Sequence, residues 1–197
     1  LYGEKSPKPE RSIPVRPPVM CPGCPHRSVL YALKRLKLTV NGDIGCYTLG
    51  ASEPISAVDA CVCMGASIGM SHGFDKANPE NSKKTISVIG DSTFVHSGIT
   101  GLINAVYNKG CSTIMILDNS ITGMTGHQDN PTTGKTILGE ETHQLDLKTL
   151  CEACGASSVR IVDAYYIEEV KKVVKEELER PSVSVIIAKR PCALLLK

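Results

Sequence analysis

Tryptophan is absent from this 197-residue sequence, and only two Phe and six Tyr stand beside that absence, an aromatic share of 4%. Too few flat rings are present for the stacking platforms on which single-stranded nucleic acid is held. A surplus of one charge is missing as well: 22 Lys and Arg face 20 Asp and Glu, a net +2. That excludes the basic excess of a nucleic-acid binder and any acidic tail. No apolar run reaches the roughly 18 residues that a membrane-spanning helix requires. Residues 1–18 contain no apolar core, do not begin with Met, and are polar, basic and rich in Pro. They read as an interdomain linker rather than a signal peptide, and the chain as a piece of a longer polypeptide. Residues 19–197 suffice for one domain with a full core.

What is plentiful points elsewhere. Seventeen Gly and twelve Pro imply tight turns and close backbone approaches. Nine Cys, an odd number, lie partly in pairs within apolar or Gly-rich stretches. That usage suits thiolate chemistry in a reducing, cytoplasmic setting better than a secreted disulfide framework.

Hydrophobic periodicity switches repeatedly along the chain. Helical spacing is expected over 26–37, where Val29, Leu30, Leu33 and Leu36 share a face, and again over 60–74, 97–108, 145–154 and 167–179. Short apolar runs at 40–46, 85–89, 113–117, 158–162 and 183–188 read as strands. The alternation predicts an α/β fold, a doubly wound and mostly parallel sheet with helices on both faces. Ligands of such sheets bind beyond the carboxyl ends of the strands. A long loop from Asp118 to Lys135 is of a length usually reserved for function. The Lys- and Glu-rich stretch 168–180 reads as a solvated helix face.

Two strand ends carry oxygen ligands. Gly90-Asp91-Ser92 closes one strand, and after 26 intervening residues Asn119 follows the next. Paired hard oxygens beside a Gly-rich turn suit Mg²⁺ with a diphosphate, the turn supplying N–H groups to the anion. Taken singly, Asp91 is a helix cap and Asn119 a turn residue. Together the two resemble the thiamine-diphosphate motif, in which Gly-Asp-Gly precedes an Asn at this spacing. The resemblance implies that Asp91, Asn119 and the carbonyl of Ile121 hold Mg²⁺. Gly90, Ser92, Thr122 and Met124 would then line the coenzyme, with Ser92 a departure from the third Gly. Cys63-Met64-Gly65-Ala66 is similar to a Met-Gly that contacts the aminopyrimidine in such enzymes, which adds Met64 and Gly65. Without that resemblance it reads as a core helix of small residues.

Cys21-Pro22-Gly23-Cys24-Pro25-His26 is a Cys-x2-Cys, joined by Cys46 after 21 residues and by Cys192 near the end. Such thiolates serve an iron-sulfur cluster, zinc completed by His26 or another Cys, or a redox pair. Cys61, Cys63, Cys111, Cys151 and Cys154 are expected in packing. Cys-Pro-Gly-Cys-Pro-His-Arg, Asp-Ile-Gly-Cys-Tyr-Thr-Leu-Gly, Cys-Met-Gly-Ala-Ser, Met-Thr-Gly-His-Gln and Lys189-Arg190-Pro191-Cys192 together resemble the 2-oxoacid:ferredoxin oxidoreductases, most nearly their indolepyruvate branch. The likeness spans roughly 17–197.

That resemblance implies a 4Fe-4S cluster on Cys21, Cys24, Cys46 and Cys192 beside the thiamine diphosphate. It implies oxidative decarboxylation of an aryl-2-oxoacid to an acyl-CoA and carbon dioxide, with ferredoxin as electron acceptor and coenzyme A as acyl acceptor. Met124 stands where the pyruvate branch has an Asn, which would suit an aromatic substrate. The Glu that activates the aminopyrimidine would come from a separate pyrimidine-binding domain or subunit, since Glu53 and Glu80 lack the needed context, so an oligomer is expected. Among His72, His96, His127 and His143, His127 is best placed for acid-base work, with Thr122 and Thr125 as hydroxyl donors. Three other readings stay open: another 2-oxoacid oxidoreductase, a non-redox decarboxylase with Asp91 and Asn119 but no iron, and a metal-binding interaction module.

Overall fold

Runs of apolar residues without alternation can be buried on both faces only inside a parallel sheet, and the chain forms one. The computed structural model describes residues 14–195. Its strands are β1 (Thr39–Gly42), β2 (Ala60–Cys61), β3 (Thr85–Gly90), β4 (Thr113–Asp118), β5 (Ser158–Asp163) and β6 (Ser184–Lys189). They lie in the order β2-β1-β3-β4-β6-β5, and every neighbouring pair is parallel. The helices are α1 (Pro25–Arg35), α2 (Ala66–Ala77), α3 (Asp91–Thr93), α4 (Ile99–Tyr107), α5 (Leu147–Ala153) and α6 (Ile167–Leu178). Residues 1–13 of the expected linker lie outside the described residues, and residues 14–18 are exposed chain without regular structure.

Period-two alternation divides the central strands between two cores. Ile86 and Val88 of β3 and Met115 and Leu117 of β4 face α1 and α6, packing on Val29, Leu30, Leu33, Val170 and Val174. Ile89, Ile114 and Ile116 face the other way, onto Ile68, Phe94, Leu102 and Leu147 beneath α2, α4 and α5. Pro25 opens α1, where its missing N–H costs nothing, and Lys34 and Arg35 oppose the helix dipole in the last turn.

The strand order reverses between β1 and β3: the chain leaves β1 toward the β2 edge and leaves β3 toward β4. A crevice therefore opens at the carboxyl ends of these strands. In register, Gly90 sits beside Leu117, so residue 91 and residues 118–119 emerge side by side.

Four sequence expectations are corrected. The helix expected over 60–74 begins only at Ala66, because Ala60–Cys61 pairs with β1 as a two-residue edge strand. The strand expected over 40–46 ends at Gly42, and Cys46–Ala51 coils into a 3₁₀ turn. The helix expected from Ser97 starts at Asp91 and passes through a π-helical turn, Phe94–Gly98. On α6, Lys171 pairs in the open with Glu168 at 3.0 Å, as a solvated face should. Glu177, however, is wholly buried and is met by Arg180 at 2.6 Å and Arg160 at 3.6 Å. It shares the inward side of α6 with Val170, Val173 and Val174, so two flexible cations fold over to offset its burial.

Candidate functional site

The site is built where β1, β3 and β4 end. Gly90 is required there, because a Cβ would stand 2.8 Å from the buried ring of Tyr47. The next residue, Asp91, is only 2% exposed at the start of the helical run. One of its oxygens, Oδ1, accepts from the Ser92 N–H at 2.7 Å, and the other, Oδ2, from the Thr132 hydroxyl at 3.5 Å. Burial above all, with the nearby charge of Asp118, raises the Asp91 carboxyl to about 7. One strand away, Asp118 accepts from Ser120 N–H at 3.0 Å and pairs with Lys189 at 3.4 Å.

Asn119 is 7% exposed, yet its side-chain amide has no hydrogen-bond partner among the described residues. Ser120 adopts a φ of +59°, which turns the chain so that Ile121 follows buried in the same wall. The Ile121 carbonyl likewise accepts no backbone hydrogen bond among the described residues. A carboxyl whose ionisation is penalised, an idle amide and an idle carbonyl form an all-oxygen donor set with spare lone pairs. That set fits a hard divalent cation, whose charge would offset the cost of ionising Asp91.

These groups border a narrow cavity of about 80 Å³ together with Gly45, Met64, Ser92, Thr122 and Met124. Thr122 holds its hydroxyl 3.0 Å from that of Ser92, and Asn130 donates to Thr122 at 3.3 Å. Thr125 spends its hydroxyl within the loop, donating to Gln128 at 2.6 Å. On the opposite wall the Met64-Gly65 turn is fixed by a residue to which the sequence reading assigned no role. Asp43 is fully buried and accepts from the N–H groups of Gly65 at 2.7 Å, Ser67 at 3.0 Å and Ile44 at 2.8 Å. Only its position just past a strand end hinted at this. Gly65 lies at φ +86°, where a Cβ would also strike Ser97.

A second cavity, of about 330 Å³, adjoins the first and is ringed by Cys21, Cys24, Cys46 and Cys192. Burial, followed by the charge of the other three sulfurs, pushes the Cys24 thiol up to about 11. Cys46 is raised for the same reasons. Four sulfurs around one space, two of them, Cys24 and Cys46, with ionisation held back, suit a cationic iron-sulfur centre that stabilises thiolates. Among the described residues no three His, Cys, Asp or Glu side chains close on one metal ion. The sulfurs surround a space rather than a point. The two cavities share a partition made of His26, Cys46, Asn119, Gly123 and Met124.

His127 lies exposed on the sulfur-lined side, at φ +64°, rather than on the wall of the narrower cavity. Of the other histidines, His96 and His143 are exposed, and His72 is buried beside Asp75. Cys151 packs in the core as expected, whereas Cys63 is exposed because it sits on the turn before α2. A wider groove along α1, bordered by Arg27, Lys34, Arg35 and Lys37, opens to solvent away from the strand tips.

Residues 43–188 match the family described as thiamine pyrophosphate enzyme, C-terminal TPP binding domain. The sequence is similar to indolepyruvate oxidoreductase subunit IorA of Archaeoglobus fulgidus, with 46% identity over 92% of this chain and 30% of that protein. It is similar also to the IorA subunit of Methanothermobacter thermautotrophicus, with 44% identity over 92% of this chain and 30% of that one. The chain thus spans about a third of the length of these relatives. Among solved structures, 2-oxoglutarate:ferredoxin oxidoreductase from Magnetococcus marinus superposes with a TM-score of 0.73 at 21% identity, over 90% of this chain and 65% of that one. Benzoylformate decarboxylase from Polynucleobacter necessarius superposes with a TM-score of 0.61 at 17% identity, over 94% of this chain and 35% of that one. Both likenesses are of fold.

Proposed function

We propose, from the premise that this chain belongs to the C-terminal TPP binding domain family of thiamine pyrophosphate enzymes, that it is the coenzyme-binding part of a 2-oxoacid oxidoreductase acting on aryl-2-oxoacids such as indolepyruvate. The single observation that carries the reading is the partition: one set of oxygen donors and one set of four sulfurs face each other across a single layer of side chains. A decarboxylase without redox chemistry has no use for the second set.

In this reading Asp91, Asn119 and the Ile121 carbonyl hold Mg²⁺, and Ser92 with Thr122 supplies hydroxyl groups to the diphosphate. Cys21, Cys24, Cys46 and Cys192 ligate a 4Fe-4S cluster. Thiamine diphosphate held there would supply the electron sink for loss of carbon dioxide, and an iron-sulfur centre on the four cysteines would supply one-electron transfer toward ferredoxin. The protein's own share is position and exclusion of water. Asp43 pins the Met64-Gly65 turn that supports the ring of the coenzyme, and Thr132 steadies the Asp91 carboxylate. Met64 and Met124, each 49% exposed at the cavity mouth, are adaptable apolar side chains suited to a flat aromatic substrate. Coenzyme A would take the acyl group, and a pyrimidine-binding domain or subunit would bring the activating Glu.

One anaerobic preparation of the complete enzyme tests the reading. Iron and sulfide are assayed chemically, and thiamine diphosphate affinity is measured by calorimetry with and without Mg²⁺. Asp91→Ala should abolish Mg²⁺-dependent binding and leave the iron content unchanged. Unaltered affinity in that variant, or wild-type protein without iron, overturns it.

A further inference from the structure

We propose that the side chain of His26 is a hydrogen-bond donor to the sulfur centre on the far side of the partition, a positioning residue that raises the centre's reduction potential. The inference rests on the cluster assigned above and goes beyond it, since the ligand set alone gives His26 no task.

His26 is 4% exposed and borders both cavities. Its ring and that of Tyr47 stand edge to face, with centroids 5.9 Å apart and planes at 86°. No hydrogen bond to either ring nitrogen exists among the described residues, and neither nitrogen is a sealed, unsatisfied atom. The nitrogens therefore open on cavity space. In either protonation state the imidazole carries at least one ring N–H to donate.

His26 lines both cavities, and the sulfur-lined wall is the one that is short of donors. That wall is apolar apart from its thiols, His26, Asn119 and His127. Asn119 belongs to the cation site and His127 is exposed to water. His26 is the one dry polar side chain left there with a donor to spend. His26 follows the ligand Cys24 by two residues in the first turn of α1, and both line the sulfur-ringed cavity. Hydrogen bonds to cluster sulfurs stabilise the more negative, reduced state and raise its potential.

The test compares wild type with His26→Leu, which removes the donor, and His26→Gln, which keeps one, in the complete enzyme purified anaerobically. The midpoint potential is followed by electron paramagnetic resonance during a dye-mediated titration, alongside iron content and thiamine diphosphate affinity. With iron unchanged, His26→Leu should shift the one-electron equilibrium about tenfold toward the oxidised form, about 59 mV, and His26→Gln should restore most of it. An unmoved potential at full iron, or a changed coenzyme affinity with an unmoved potential, overturns the inference while leaving the cluster intact. Wild-type protein without iron overturns the underlying reading and this one with it. Where His26→Leu fails to assemble, hyperfine spectroscopy of the reduced wild-type cluster with ¹⁵N confined to histidine decides the matter. A coupled histidine nitrogen that persists in His127→Gln supports the bond, and its absence overturns it.

Discussion

Asp91 is the residue on which folding and binding make opposite demands. Its carboxyl rises from about 3.8 in the unfolded chain to about 7 in the metal-free fold, so the fold holds more protons between those values. The stability linked to this group is whole below about pH 4 and is lost as pH climbs through about 7. Asp91→Asn keeps the volume and removes the charge. In chelator at pH 8 it should stabilise the protein by roughly 2 kcal/mol, and at pH 4 by almost nothing. Chemical denaturation at the two pH values measures the difference, and Mg²⁺ with thiamine diphosphate should reverse the ranking at pH 8. At the same scale, Met124→Asn exchanges an adaptable apolar contact for a polar one. Aryl-2-oxoacids should lose kcat/KM relative to pyruvate by about tenfold, near 1.4 kcal/mol of transition-state preference. An unchanged ratio would remove Met124 from substrate selection.

The elements show why the sequence was legible in its middle and obscure at its edges. Strands β3 and β4 are mostly apolar, with no charge before Asp118, and buried on both faces, so they were readable as strands that end just before Asp91 and Asn119. Strand β2 has two residues, too few for any period, and its Ala and Cys suit a helix equally well. Glu177 carries a charge onto the buried side of α6, where Arg160 of β5 and Arg180 just past the helix make it tolerable. Asp43 and Tyr47 were invisible as site residues, and His26 was legible only as a candidate zinc ligand, because their places come from what the fold brings against them, not from their neighbours in sequence. Two substitutions test the elements directly. Gly65→Ala sets a Cβ 2.6 Å from the Ser97 hydroxyl at a left-handed φ, and should cost about 1–3 kcal/mol and weaken coenzyme binding as the Met64 turn shifts. Ile116→Ala, on the far core, should cost about 2–5 kcal/mol in denaturant titrations while leaving coenzyme affinity unchanged once folded.

For the whole molecule, every group proposed to act lies on one edge of the sheet, at the carboxyl ends of its strands, and the rest of the domain keeps that edge rigid. No helix among the described residues is long and apolar enough to cross a membrane. The narrow cavity stands open at Met64 and Met124, each half exposed, and in the proposed reading a second domain supplies the missing wall. The 197-residue chain by itself should therefore bind thiamine diphosphate weakly. Adding the pyrimidine-binding domain or subunit should tighten the complex at least tenfold by calorimetry, since only then is the ring enclosed.

The strap that joins the two chemistries is slight. At the end of β6 the N–H of Cys192 donates to the carbonyl of Asn119 at 2.9 Å, and that of Arg190 to the carbonyl of Asp118 at the same distance. Damage to the sulfur ligand Cys192 would therefore reach the proposed magnesium ligand Asn119 through one hydrogen bond. Rust on one side of the partition would be felt as a loosened coenzyme on the other.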